Sequence, residues 1–172
     1  MAESTEYDVK RAEGNTEIRK YPKMMLATVY GHSDNEAFGM LFDYITGNNR
    51  SKRKLTMIAP VISSEKIAMT SPVISDKRSF SFVLPPAYYS DTAPEPIDSR
   101  VKIEEVPPRT LAVIRFRGYA GTKDLRAKTS GLYAFVEKQS LKAKGEPFLM
   151  RYNPPFTPGF LRRNELGIEI VQ

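Results

Sequence analysis

Lys54-Leu55-Thr56-Met57-Ile58-Ala59-Pro60-Val61 is followed, twelve positions on, by Lys66-Ile67-Ala68-Met69-Thr70-Ser71-Pro72-Val73. Lys, an aliphatic, Met, Pro and Val recur in register. An even offset preserves side-chain parity in extended chain, so Met57 and Met69 would face one side of a sheet unless a bulge intervenes. Each proline removes a ladder donor and favours an extended residue before it, which places 59–60 and 71–72 at strand ends, edges or bulges. The stretch predicts two short strands with interrupted ends. Their aliphatics suit a core, and buried Met is ordinarily packing filler rather than a ligand contact.

Toward the amino terminus, residues 7–11 and 16–21 read as extended segments on either side of a Gly14-Asn15 turn. Residues 24–30 are an apolar run with Thr28 and Val29, a buried strand ending at Gly31. Ser33-Asp34-Asn35-Glu36 has the capping-box form, a hydroxyl for an orphan backbone N–H and a Glu three residues on. Phe38, Leu41, Phe42 and Ile45 follow at three- and four-residue steps, so a helix with one apolar stripe should run to the stop at Gly47-Asn48-Asn49. Toward the carboxyl terminus, 80–84 is a strand before a proline-rich connection, and 101–106 and 110–116 are strands. Residues 118–122 lead into a helix carrying Leu125, Leu132, Phe135, Val136 and Leu141, ended by Gly145 and Pro147. Strands at 148–152 and 166–171 close the chain, separated by a loop over 153–165. Each half reads strand, helix, strand, strand. The fold class is therefore α+β, built of duplicated βαββ units whose sheets join across a pseudo-twofold with both helices on one side.

A chain of 172 residues suits one domain over 7–172 behind a polar tail at 1–6. Hydrophobic residues at 41% and charged ones at 27% are ordinary for a globular domain, and no apolar run is long enough for a membrane span. The first residues are polar and acidic, unlike a signal peptide, so a cytoplasmic location is expected. Zero Cys excludes disulfides, thiolate metal sites and a Cys nucleophile. A net charge of +6 suits an anionic small ligand as well as a polymer. The basic cluster Arg50-Ser51-Lys52-Arg53-Lys54 lacks interleaved aromatics and reads as a solvated loop, so no nucleic-acid partner is expected. No Ser-His-Asp order, spaced His cluster, Walker loop or dinucleotide fingerprint is present. His32, the one histidine, sits in a polar turn before the cap and reads as a solvated residue rather than an iron ligand.

Lys66-Ile67-Ala68-Met69-Thr70-Ser71-Pro72-Val73 resembles the KIAMT[AS]PV signature of the SOUL family of haem-binding proteins. Thr16-Glu17-Ile18-Arg19-Lys20-Tyr21-Pro22 is similar to the family's YE[IV]R.YP, with Thr16 in place of Tyr. Phe82-Val83-Leu84-Pro85, Pro94-Glu95-Pro96, Tyr152-Asn153-Pro154-Pro155 and Arg162-Arg163-Asn164-Glu165 resemble its F.[ML]P, P.P, Y[ND].P and RRNE segments, in the family's order. The resemblance implies a strongly bent antiparallel sheet or open barrel with two helices. It also implies an apolar cleft between the first helix and the carboxy-terminal loop that binds haem or a related tetrapyrrole, the protein acting as carrier, buffer or sensor. In members proposed to bind iron through His, that residue lies in the YE[IV]R-H-Y segment; Lys20 stands there in this chain, so no metal ligand is expected.

The cleft candidates are Phe38, Leu41, Phe42 and Ile45 on the helix, and Phe156, Phe160 and Leu161 on a loop more apolar than exposure alone requires. Phe156 and Phe160 fit two readings, contact with a ligand or pinning of the loop to the core. For the propionates, Arg162 is the candidate, while the Arg162-Arg163 pair with Glu165 fits a structural ion pair equally well. Basic family positions on the helix and loop are Asp43 and Thr157 here. The expected partner is a tetrapyrrole or another hydrophobic, anionic small molecule. The alternatives are a small-molecule hydrolase of the GyrI-like type, which a buried Glu beside a Tyr in the cleft would favour, and a protein-interaction module with no cleft.

Overall fold

Proline breaks at Pro22 and at Pro107-Pro108 each cut a pair of strands that would otherwise run on as one, and they set the topology. In the computed structural model, which describes residues 3–52, 63–154 and 156–171, the main elements are β1 (Asp8–Glu13), β2 (Thr16–Tyr21), β3 (Met24–Tyr30), α1 (Asp34–Ile45), β4 (Val73–Ser75), β5 (Ser79–Val83), β6 (Val101–Val106), β7 (Arg109–Arg117), α2 (Thr122–Lys138), β8 (Lys142–Arg151) and β9 (Arg163–Val171). The nine strands form one open sheet in the order β6-β3-β5-β4-β8-β9-β7-β2-β1. Every neighbouring pair is antiparallel.

Leaving aside β1, that order is a palindrome about the β4–β8 pair. β2-β3-α1-β4-β5 corresponds to β6-β7-α2-β8-β9, and the leading strand of each unit pairs into the other half, β2 beside β7 and β6 beside β3. The duplication read from the sequence is thus the symmetry of the sheet. Both helices lie on one face, as expected: Ala27, Val29, Phe80 and Phe82 pack on α1, while Ala112, Ile114, Leu149 and Leu166 pack on α2. The register Phe80–Ser75–Leu149–Leu166 carries that face across the centre. The other face holds a third apolar cluster, including Tyr21, Leu26, Leu111, Val113 and Met150. Among the described residues no helix covers it, yet these side chains are buried, so the sheet must bend until its own strands and the amino-terminal segment close over that face.

Thr70–Ser71 and Val73–Ser75 are short strands at the end of the second copy of the repeated phrase, split at Pro72 as its missing donor requires, while 66–69 form no strand. Met69 packs half-buried against the α1 cluster, the filler role. The first copy lies wholly outside the described residues. Residues Glu3–Ser4 pair in parallel with Thr70–Ser71, and Thr5 N donates to Ser71 O at 2.9 Å, so this part of the polar amino-terminal stretch is held against the domain. Two boundaries differ from the sequence reading. The second helix ends at Lys138 rather than at Gly145: Gln139 and Ser140 turn the chain, Ser140 at φ 57°, and Leu141 reaches the α2 core from beyond the helix. Gly145 and Pro147 instead occupy an irregularity inside β8, between Lys144 and Phe148. Arg163, Asn164 and Glu165, expected on the loop, begin β9.

Candidate functional site

Ser33 caps α1 as its sequence predicts, its hydroxyl accepting from Glu36 N at 3.3 Å. The helix then turns Ala37, Leu41, Tyr44 and Ile45 into the core, with Tyr44 OH donating to Pro94 O at 2.7 Å. Leu41 and Ile45 are consequently fully packed, and can only floor a site. Phe38 is half-buried, its ring edge-on to Phe82 at 5.4 Å, and it stacks at 6.0 Å on Phe42, which is 46% exposed. This pair is the part of the α1 stripe that a ligand can reach.

The register leads from that pair to the loop. Phe82 stands opposite Val73, and Val73 opposite Arg151, the last residue of β8. At about 4.8 Å per strand, the loop starts roughly 10 Å from Phe82. Arg151 Nη1 meets Asp34 Oδ2 of α1 at 3.3 Å at this boundary. The loop is fixed by Tyr119, against which Gly159 packs so closely that a Cβ there would come within 2.3 Å of the ring. Arg162 lays its guanidinium 4.6 Å from the Tyr119 centroid and donates from Nε to Thr157 O at 2.8 Å. With the backbone held in this way, Phe156, Phe160 and Leu161 stand 86%, 74% and 50% exposed, so these rings do not pin the loop. Among the described residues no ring contact joins the α1 residues to the loop residues; the Phe82–Val73–Arg151 row links the strand under Phe38 to the start of the loop. Beyond Arg151 and Asp34 opens a groove of about 880 Å³ between the helices, floored by Ser75 and Leu149 and walled by Arg126 and Tyr133 of α2.

His32 lies in the turn before α1, its Nδ1 3.2 Å from Glu36 Oε2, and among the described residues no cluster of three metal-ligating side chains occurs. Arg151 and Tyr119 were missed in the sequence. A lone Arg at a strand end has no pattern to betray it, although the Gly118-Tyr119 step after a strand is a weak turn signal.

On the other face of the sheet, two of the segments quoted for the family resemblance meet. Arg19 is fully buried; its Nη1 and Nη2 donate to Glu165 Oε1 and Oε2 at 2.7 and 2.6 Å, its Nε to Glu17 Oε2 at 2.7 Å, and Nη1 also to Tyr21 OH at 3.0 Å. Arg163 Nη2 adds a bond to Glu165 Oε2 and another to Tyr7 OH, both at 3.1 Å. Burial alone would raise the Glu165 carboxyl, but its bonds to Arg19 and the charges of Arg19 and Arg163 outweigh that and hold it below the usual carboxylate range. Burial, then the Glu165 charge, pushes the nearby Tyr152 phenol up. A buried Glu beside a Tyr therefore exists. Both of its oxygens are taken by guanidinium donors and it is sealed from solvent, the arrangement of a structural ion pair rather than a general base.

Comparison with known proteins accords with the fold and with the motifs. The family model described as "SOUL heme-binding protein" matches residues 2–169. Heme-binding protein 1 of Sus scrofa is 29% identical over 133 residues, which cover 77% of this chain and 69% of that protein. Among solved structures, the EcmrR C-terminal domain superposes with a TM-score of 0.62 at 11% identity, covering 96% of this chain and 98% of that one. A hydrolase from Listeria innocua superposes with a TM-score of 0.59 at 12% identity, covering 94% of each chain. At such identities these two share the fold alone. Matched along nearly its whole length, the chain belongs to the SOUL heme-binding protein family.

Proposed function

We propose that this protein binds haem or a related tetrapyrrole between the Phe38–Phe42 pair of α1 and the loop bearing Phe156, Phe160 and Leu161, which the Phe82–Val73–Arg151 row links, and that it acts in the cytoplasm as a carrier, buffer or sensor. One observation supports the reading: Phe42 on α1, and Phe156, Phe160 and Leu161 on a loop fixed by Tyr119, are large apolar side chains that a folded chain ordinarily buries, and they stand about half or more exposed. A planar macrocycle needs two apolar walls, and walls held in place beforehand reduce the ordering cost of binding. Arg162 and Arg151 supply cations for carboxylates at the rim, while Leu41 and Ile45 form the floor beneath Phe38. The residues fit the macrocycle and its carboxylates. They do not fit axial ligation of its iron, because Lys20 occupies the position a family His would take and His32 pairs with Glu36. Bound haem would supply an iron centre; the chain supplies apolar contact and charge.

Membership of a family described as heme-binding and the likeness to Heme-binding protein 1 support the ligand class. Titration with haemin, followed at the Soret band, tests the proposal. Saturation near one equivalent, weakened by Phe156→Ala and by Phe160→Ala, is expected; a linear, unsaturable response identical in all three proteins would overturn it.

A further inference from the structure

At the end of the sheet where β7, β9 and the β1–β2 turn meet lies a cleft of about 540 Å³ lined by Asn15, Arg115, Phe116, Arg117 and Arg163. Three of these five residues are arginines. Arg115 and Arg117 are two apart on β7 and so share a face, and Arg117 stands directly opposite Arg163 in the β7–β9 register. Directly opposed residues have Cα atoms only about 5 Å apart, and like charges so placed repel. Nearby carboxylates do not relieve this. Glu165 is taken up by Arg19 and one Nη of Arg163, and Glu17 by Arg19 and by Arg115 at 3.2 Å. The Arg117 side chain has no hydrogen bond or ion pair among the described residues, and Arg163 Nε is buried without a partner. Four guanidiniums, those of Arg19, Arg115, Arg117 and Arg163, thus share two carboxylates, which leaves two positive charges uncompensated, and three of the four line the cleft.

We propose that this cleft binds the phosphate dianion of a small soluble phosphate monoester, with Arg117 and Arg163 as its principal donors. Arg117 and Arg163 line the same cleft from directly opposed positions, so a small anion seated there can meet both side chains. That geometry suits a tetrahedral dianion better than two carboxylates held apart by a carbon chain. Asn15 is fixed at the rim by Nδ2 donating to Arg115 O at 3.1 Å, and its carbonyl accepts from Arg115 N at 2.8 Å, so the turn forms a stationary wall. None of the five lining residues belongs to the tetrapyrrole surface, and the two proposals stand or fall separately.

Calorimetric titration of the full chain with inorganic phosphate, glycerol phosphate and succinate, alongside NMR of the arginine Nε–Hε resonances, tests it. Saturable phosphate binding should shift the Arg117 and Arg163 resonances, and Arg117→Gln should weaken it about tenfold without lowering the melting temperature, since that side chain is exposed and unpaired. Lys102→Gln, the same charge change on the far edge strand β6, should leave it unchanged. Phosphate that fails to saturate, succinate that binds as tightly, or an equal loss in Lys102→Gln would each overturn the assignment. Glycerol phosphate binding more weakly than inorganic phosphate would overturn the monoester part.

Discussion

Replacing Arg19 by Met keeps most of the side-chain volume and removes one buried guanidinium that serves two carboxylates. Three of its bonds to carboxylate oxygen, at 2.6 to 2.7 Å, are lost, and the fully buried Glu165 keeps the longer Arg163 contact at 3.1 Å. Breaking a buried pair from one side costs about 3–5 kcal/mol, chiefly the penalty of an uncompensated buried charge. Because Arg163 still touches Glu165 and Arg115 still touches Glu17, the lower figure of about 3 kcal/mol is expected. With a urea m value of about 2 kcal/mol/M, the unfolding midpoint should fall by about 1.5 M. The variant would still fold, since domain stabilities run to about 5–15 kcal/mol. The double variant Arg19→Met with Glu165→Leu removes both charges and should recover most of the loss. Urea melts of the single and double variants decide the matter. If the single change costs under about 1 kcal/mol, or the double costs the sum of the singles, the cluster is not the coupled buried pair described above.

Acid stability follows from the same cluster. Since the folded state holds the Glu165 carboxyl below its ordinary value, its contribution is complete above the unfolded value of about 4.3 and is lost as pH falls through the folded one. Glu165→Gln should therefore flatten the acid limb of a stability–pH curve measured by urea melts; an unchanged limb would assign that limb to other carboxylates. Phe156→Ala and Phe160→Ala should each weaken haemin binding by about 1–3 kcal/mol while shifting stability by under about 0.5 kcal/mol, since both rings lie in solvent; the reverse pattern would return the rings to the core. His32→Ala should leave haemin affinity and the ligation spectrum unchanged, and a tenfold loss, about 1.4 kcal/mol, would make it a ligand.

What was legible in the sequence had local causes. The start of α1 is written in the Ser33 cap and its end in Gly47, and β3 in a run of apolar residues bounded by Pro22 and Gly31. The duplication was visible because both halves repeat the same order of elements. The end of α2 was not: Gln139 and Ser140 carry no glycine or proline, while the visible breakers Gly145 and Pro147 serve a strand irregularity instead. Arg19 and Glu165 are separated by 146 positions, and no periodicity links residues that meet only through sheet closure. On the candidate surface, the loop aromatics stood out by their chemistry. The division of the α1 stripe into a buried pair, Leu41 and Ile45, and a reachable pair, Phe38 and Phe42, depends on how the helix is rotated on the sheet, which three- and four-residue spacing leaves open.

The location of the ligand is tested most directly by two-dimensional NMR of the uniformly labelled protein titrated with zinc protoporphyrin, a diamagnetic tetrapyrrole. The largest amide shifts should fall together at Phe38, Phe42, Arg151 and the loop around Phe156, Phe160, Leu161 and Arg162, saturating at one equivalent. Shifts confined to the Arg19–Glu165 face, or no saturable shifts at all, would contradict a tetrapyrrole surface between α1 and the loop.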